Sequence, residues 1–118
     1  MGGREEAVRR HNREVLGHLR RYLVVGEPVT LLGSPYRLVT EEVRSEERAG
    51  EETVVVRFRL AGDERTFGFR IELSVVGDPG WEDPILTYEV ILALLDEAVL
   101  VGPRSASDAE GIVWVGWS

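Results

Sequence analysis

The chain has 118 residues, a net charge of −7 and no cysteine. Its length favours one domain over residues 1–118 with a single hydrophobic core, and the lack of cysteine excludes disulfides, thiol nucleophiles and cysteine-based zinc sites. Because nonspecific nucleic-acid binding depends on excess positive charge, the acidic balance argues against a nucleic-acid partner. All fourteen basic residues are arginines and glutamine is absent, and depletion of labile amides is a thermophile-like trait.

The first predicted element is an amphipathic helix over Arg4–Val24. Apolar residues recur there every three or four positions, which places them on one face, while arginine and glutamate fill the other. Gly26 and Pro28 end the helix, and a short strand is predicted over Val29–Leu32. Residues 1–13 are too polar for a secretory signal, so a cytoplasmic location is expected.

A second strand is predicted over Tyr36–Arg44. Its alternation of apolar and polar residues is interrupted at Glu41-Glu42, which indicates a β-bulge or an edge position. The charged stretch that follows, Ser45–Glu52, is predicted to be a loop without an element of its own.

A β-hairpin is the clearest local prediction after the long helix described below. Residues 53–75 form two runs of alternating apolar and polar side chains with a glycine-containing turn between them. If Ala61 pairs with Thr66, then Phe58 lies opposite Phe69. All the large apolar side chains then share one face of the hairpin.

The polar face of this hairpin carries Arg57, Arg59 and Arg70. In the same register Arg57 lies opposite Arg70, which is unfavourable unless something negative is adjacent. Two interpretations remain open. The arginines are solvated or paired within the chain, with Glu72 as the simplest partner, or they hold a phosphate or carboxylate of a ligand. The second interpretation predicts that phosphate or sulfate raises the melting temperature and that Arg57→Ala abolishes the rise.

A long apolar helix is predicted over Pro84–Val101. Asp83 is its N-cap, and Gly102-Pro103 is a signal for its end. Thirteen of its side chains are apolar, and its three charges share one stripe: Glu89, Asp96 and Glu97. One sheet face cannot cover so much apolar surface, so the helix needs a second partner, either another helix of the chain or a second copy.

The C-terminal segment Ile112–Trp117 is apolar on both alternating faces and is predicted to be a strand or an apolar tail. Trp114 and Trp117 are candidate interface residues, because tryptophan is favoured in protein interfaces. Burial of this segment against a second copy predicts a homodimer. The alternative is that the segment adds a strand within its own chain.

Catalytic, metal and nucleotide motifs are absent from the sequence. His11 and His18 are seven residues apart on the first helix, too far to share a metal, and a structural role is predicted for both. The carboxylates around Trp81 lack the spacing of a calcium loop, so capping and turn formation are predicted for them, with a divalent-ion or catalytic role as the alternative: Asp78, Glu82 and Asp83. We therefore expect no metal and no cofactor.

The predicted element order, α-β-β-β-β-α-β, favours an α+β fold. It comprises an N-terminal amphipathic helix, an antiparallel sheet of four to five strands, a long apolar helix packed on the sheet and a short C-terminal strand. Part of this order resembles double-stranded-RNA-binding domains, but Trp81-Glu82-Asp83 stands where that family has basic residues, so RNA binding is not expected. In order, size and charge the chain also resembles small acidic chaperones of the type III secretion class, which implies a bacterial dimer.

Together these features predict a small cytoplasmic domain that is not an enzyme, has no membrane or nucleic-acid partner and acts through protein contacts as a homodimer. Two alternatives stay open. One is a small-ligand or anion-binding protein that uses Arg57, Arg59 and Arg70, or a pocket between the sheet and the helices. The other is a hydrolase that depends on carboxylates.

Overall fold

The computed structural model describes residues 2–31, 33, 35–73, 83–103 and 107–116. Its helices and strands in chain order are α1 (Gly2–Tyr22), β1 (Pro28–Thr30), β2 (Arg37–Arg48), β3 (Glu51–Leu60), β4 (Thr66–Glu72), α2 (Pro84–Val101) and β5 (Ile112–Trp114). The predicted α+β fold is confirmed.

The five strands form one sheet in the order β1-β2-β3-β4-β5. The first four strands are antiparallel to their neighbours, as predicted, whereas β5 pairs with β4 in parallel. The sheet is therefore mixed, because the chain leaves β4, passes through α2 and returns in the same direction. A parallel pair needs such a long crossover connection.

Both helices cover the same face of the sheet and pack against each other. The core between them is one apolar cluster, to which α1 contributes Val15, Leu19 and Leu23 and α2 contributes Ile91 and Leu95. The sheet contributes the apolar side chains of alternate positions, which are Leu38, Val43, Val54, Val56, Phe58, Phe67, Phe69 and Val113. The helix layer therefore has one covered side and one side that faces away from the sheet.

The bounds of α2 match the prediction at both ends. The Asp83 carboxylate accepts a hydrogen bond of 2.8 Å from the Ile85 N–H, as an N-cap does. Gly102 ends the helix with φ 90°, a value that favours glycine. The first helix begins and ends two residues earlier than predicted, and β1 is shorter than the predicted Val29–Leu32 strand.

The predicted loop over Ser45–Glu52 is wrong. These residues belong to a hairpin in which β2 and β3 pair as far as Arg48 and Glu51, and Ala49-Gly50 forms the turn. Both turn residues have positive φ, 52° and 82°, as a two-residue hairpin turn requires. Of the two interpretations of Glu41-Glu42, a bulge or an edge position, the bulge is the one observed, since the register shifts between Thr40 and Glu42 and β2 lies between β1 and β3.

The predicted register of the β3–β4 hairpin is wrong by two residues. Phe58 pairs with Phe67 rather than Phe69. In the loop between the strands, the Asp63 carboxylate accepts a 2.9 Å hydrogen bond from the Arg65 N–H. The Arg65 side chain and N–H lower the pKa of Asp63 to about 2. Because the shift is even, the face assigned to each side chain stays as predicted.

Candidate functional site

The three candidate arginines share the sheet face that is opposite to the helices. The corrected register places Arg57 across from Gly68, and Arg70 across from Val55, so the two arginines are not directly opposed. Each lies near a glutamate of β2. Arg59 Nε is 3.5 Å from Glu41, and Arg70 Nε is 3.6 Å from Glu46. We call Arg57, Arg59 and Arg70 the arginine face.

The bulge in β2 explains where these carboxylates come from. An extra residue in the strand directs both Glu41 and Glu42 to the arginine face, where each lies within 4.0 Å of Arg57. Further along β2, the Arg44 side chain donates a 2.6 Å hydrogen bond to Glu46 and thereby holds the pKa of Glu46 below its usual value. The partners of the arginine face thus include β2 glutamates, where the sequence analysis considered Glu72.

Trp114 packs within its own chain. Its indole lies against Gly68, where an added Cβ would come within 2.7 Å of the ring. The Arg70 guanidinium stacks on the ring at 3.9 Å from its centroid. The indole N–H donates a 3.0 Å hydrogen bond to Asp108. The C-terminal segment therefore adds a strand to its own sheet, while Trp117 lies outside the described residues.

Asp108 organises the turn that leads into β5. Its carboxylate also accepts hydrogen bonds from the Glu110 and Ile112 N–H groups, at 2.9 and 3.0 Å. The hydrogen bond from the Ile112 N–H has the largest effect in lowering the pKa of Asp108, and the bond from the Trp114 indole lowers it further. A role for Trp114 in an interface stays a prediction, since nothing in the chain alone tests it.

A buried chain of polar side chains joins α1, α2 and β3. His11 Nε2 lies 3.1 Å from the Thr87 hydroxyl, and His11 Nδ1 lies 3.2 Å from Asn12 Oδ1. The Asn12 amide N–H donates a 2.6 Å hydrogen bond to Glu52. Because the Glu52 carboxylate accepts, Asn12 turns its amide oxygen to His11, so an N–H at His11 Nδ1 donates to Asn12 Oδ1. This chain fixes the two helices to each other, in keeping with the structural role predicted for His11.

Two further predicted residues, His18 and Asp83, lie in the described part of the chain. The His18 ring packs on Tyr88 with 5.5 Å between centroids. Asp83 caps α2, as predicted. Asp78, Trp81 and Glu82 lie outside the described residues. Within the described part of the chain, no group of histidine, aspartate and glutamate side chains is placed to hold a metal ion.

Exposed apolar side chains concentrate on the outer side of the helix layer. Nine large apolar side chains of the described residues are exposed, and eight of them lie on α2 or at the C-terminal end of α1 and just after it. We call these eight the helix-layer patch: Tyr22, Val24, Val25, Ile85, Leu86, Val90, Leu100 and Val101. Only Tyr36 lies elsewhere. The excess of apolar surface on α2 was predicted from its sequence, whereas the exposure of Tyr22, Val24 and Val25 was not.

A groove runs between α1 and α2 beside this patch. It has a volume of about 590 Å³, within the range of about 300–1,000 Å³ that small-molecule sites occupy. Two tyrosines, Tyr22 and Tyr88, form part of its wall with their rings 6.5 Å apart. Leu31 and Leu92 add apolar surface, and two acidic side chains also line it: Glu89 and Asp96. We call this cavity the α1–α2 groove.

Neither the α1–α2 groove nor the buried polar chain was predicted from the sequence, which indicated at most a pocket between the sheet and the helices. Their residues come from segments far apart in the chain, and no spacing rule links Leu31 to Asp96 or Thr87 to His11. One signal was present in the sequence, since Asp96 is a charge in an apolar helix. In the structure its carboxylate accepts a 2.5 Å hydrogen bond from the Gly33 N–H.

No family model, curated protein or solved structure matches the chain. Among the described helices, none is both long and apolar enough to cross a membrane.

Proposed function

We propose that the chain is a cytoplasmic, non-enzymatic domain that acts through protein contacts and forms a homodimer through the helix-layer patch. The observation that carries this proposal is the one-sided distribution of exposed apolar side chains. The largest apolar patch of a typical monomer is itself about 300–600 Å² and is often functional, so a patch concentrated on one side of the fold is a candidate interaction site. Here Leu86, Leu100 and Val101 are each more than half exposed on one helix.

The size of the patch supports a dimer. A whole apolar side chain presents on the order of 100 Å², so eight half-exposed side chains offer roughly 400 Å². Homodimer interfaces are about 65% apolar, so this apolar area corresponds to a total interface of about 600 Å² per subunit. Stable interfaces start at about that area per partner. We therefore expect a dimer of modest affinity.

The sequence of α2 supports pairing of two copies of this helix. Leu86, Ala93 and Leu100 are seven residues apart, so they lie on one stripe of the exposed side. If two α2 helices cross antiparallel at Ala93, Leu86 packs against the partner subunit's Leu100, and the small side chain lets the helices approach. In this two-fold arrangement the same surface of both subunits forms the interface.

Introduction of a negative charge on this stripe tests the proposal. Leu86→Asp and Leu100→Asp place a carboxylate in the interface, so we expect each to shift the chain to a monomer in light scattering. Ala61→Asp is the matched control, since Ala61 is exposed in the β3–β4 loop. Circular dichroism verifies that all three variants fold. Dimers that persist in both leucine variants would contradict the proposal.

Cross-linking provides a positive test of the same geometry. The chain contains no cysteine, so Ala93→Cys introduces a single thiol near the proposed two-fold axis. We expect oxidation to give a covalent dimer in high yield. Ala61→Cys, in the exposed β3–β4 loop outside the helix layer, should cross-link far less. Equal yields from the two variants would indicate random collisions.

Anion binding at the arginine face remains a prediction with less support. Arg57, Arg59 and Arg70 each lie within 4.0 Å of a glutamate of β2. An anion would have to compete with these carboxylates, so we do not put it forward as a second function.

A further inference from the structure

The α1–α2 groove combines three features that together select one class of ligand. Its volume of about 590 Å³ suits a small organic molecule. Its apolar wall, formed by Leu31, Leu92 and the tyrosine rings, suits an apolar body. Its ionisable lining residues, apart from the tyrosines, are both acidic, Glu89 and Asp96.

Aromatic rings and carboxylates favour the same charge. The face of a tyrosine ring attracts a cation by about 0.5–1 kcal/mol at an exposed site, and more where water is excluded. Tyr22 and Tyr88 both line the groove, and Glu89 lies on the exposed side of α2. An anionic ligand of the same shape would face repulsion from both acidic side chains.

Asp96 also has a carboxylate oxygen without a donor among the described residues. One of its carboxylate oxygens, Oδ2, accepts the hydrogen bond from the Gly33 N–H. The other, Oδ1, is buried and has no hydrogen-bond partner within the described part of the chain. A buried acceptor without a donor is costly. A positive charge in the adjacent groove would offset part of that cost through space, without direct contact.

We propose that the α1–α2 groove binds a small organic cation with an apolar body, such as a protonated arylalkyl amine. The amine lies near Glu89 and Asp96, and the apolar body lies along Leu92 and the tyrosine rings. This inference does not rest on the homodimer, but Tyr22 and Ala93 belong to both surfaces, so a dimer formed through α2 would cover part of the groove.

Chemical-shift mapping with phenethylamine tests the inference. We expect saturable shifts at groove residues, with Gly33, Tyr88 and Ala93 as reporters. Phenethyl alcohol, which has the same body without the charge, should bind about tenfold more weakly. Phenylacetate should not bind. Equal binding of the amine and the alcohol would overturn the proposal, as would shifts centred on the acidic residues of β2.

Variants locate the site. Asp96→Asn and Glu89→Gln keep side-chain shape and should each weaken phenethylamine binding by several-fold. Glu97→Gln removes a charge from the same helix outside the groove lining and should leave binding unchanged. If Asp96→Asn does not fold, Glu89→Gln and Tyr88→Leu carry the test. The same phenethylamine titration of the Leu86→Asp variant, which we expect to be monomeric, separates cation binding from self-association. Unchanged binding in Glu89→Gln and Tyr88→Leu would refute the site.

Discussion

At the scale of single residues, Phe58 is the most informative core side chain. It is fully buried, and its ring stacks on Phe67 with 5.8 Å between centroids. Phe58→Ala leaves a cavity that the surrounding strands and helices cannot fill, so we expect a loss of about 3–5 kcal/mol in the free energy of unfolding. Chemical denaturation measures it, with Arg10→Ala, at an exposed position of α1 outside the helix-layer patch, as the control. A loss below about 1 kcal/mol would contradict the described core.

Asp108 predicts how stability depends on pH. Hydrogen bonds lower its pKa in the folded chain. Its contribution to stability is therefore complete above the unfolded pKa of about 3.9 and is lost as the pH falls through the lower folded value. We expect Asp108→Asn to lower the melting temperature at neutral pH and to reduce the loss of stability on acidification below about pH 4. Glu110→Gln is the control, and identical acid profiles for the two variants would refute this role.

At the scale of elements, the β2–β3 turn offers a stabilising substitution. Ala49 has φ 52°, which a residue with a Cβ adopts at a cost. Asparagine is favoured at this position of a two-residue turn before glycine. We expect Ala49→Asn to raise the free energy of unfolding by up to about 1 kcal/mol. Ala61→Asn, in the other hairpin loop, should give no such gain, and a gain of equal size there would show that the turn is not responsible.

Elements with strong end signals were predicted from sequence, and those set by pairing were not. The caps at Asp83 and Gly102 fixed both ends of α2, because an N-cap and a positive-φ glycine act locally. The turn at Ala49-Gly50 lacks the usual asparagine, so the charged residues around it resembled a loop. The two-residue error in the β3–β4 register arose because any even shift preserves the apolar face.

The candidate sites depend on contacts between distant segments. The groove needs Leu31 and Tyr22 beside α2, and the partners of the arginine face come from a bulge in β2. The sequence showed that the bulge exists but not which glutamates it would bring to the arginines. Only the α2 part of the helix-layer patch could be predicted, because its excess of apolar residues is a property of one helix.

At the scale of the whole molecule, apolar exposure and net charge act against each other. The helix-layer patch favours association, whereas a charge of −7 on each chain opposes it. Glu89 and Glu97 flank the stripe that we propose to pair. Added salt screens like charges and strengthens apolar burial only slightly at moderate concentration. We therefore expect moderate sodium chloride to tighten the dimer, and weakening by salt would indicate an interface held by ion pairs.

The molar mass of the intact chain tests the central claim most directly. Light scattering from low micromolar to submillimolar concentrations, at moderate salt, measures it without labels or variants. We expect the mass to rise with concentration from that of one chain, 13.2 kDa, to twice that value. A mass that stays at 13.2 kDa over the whole range would contradict the homodimer.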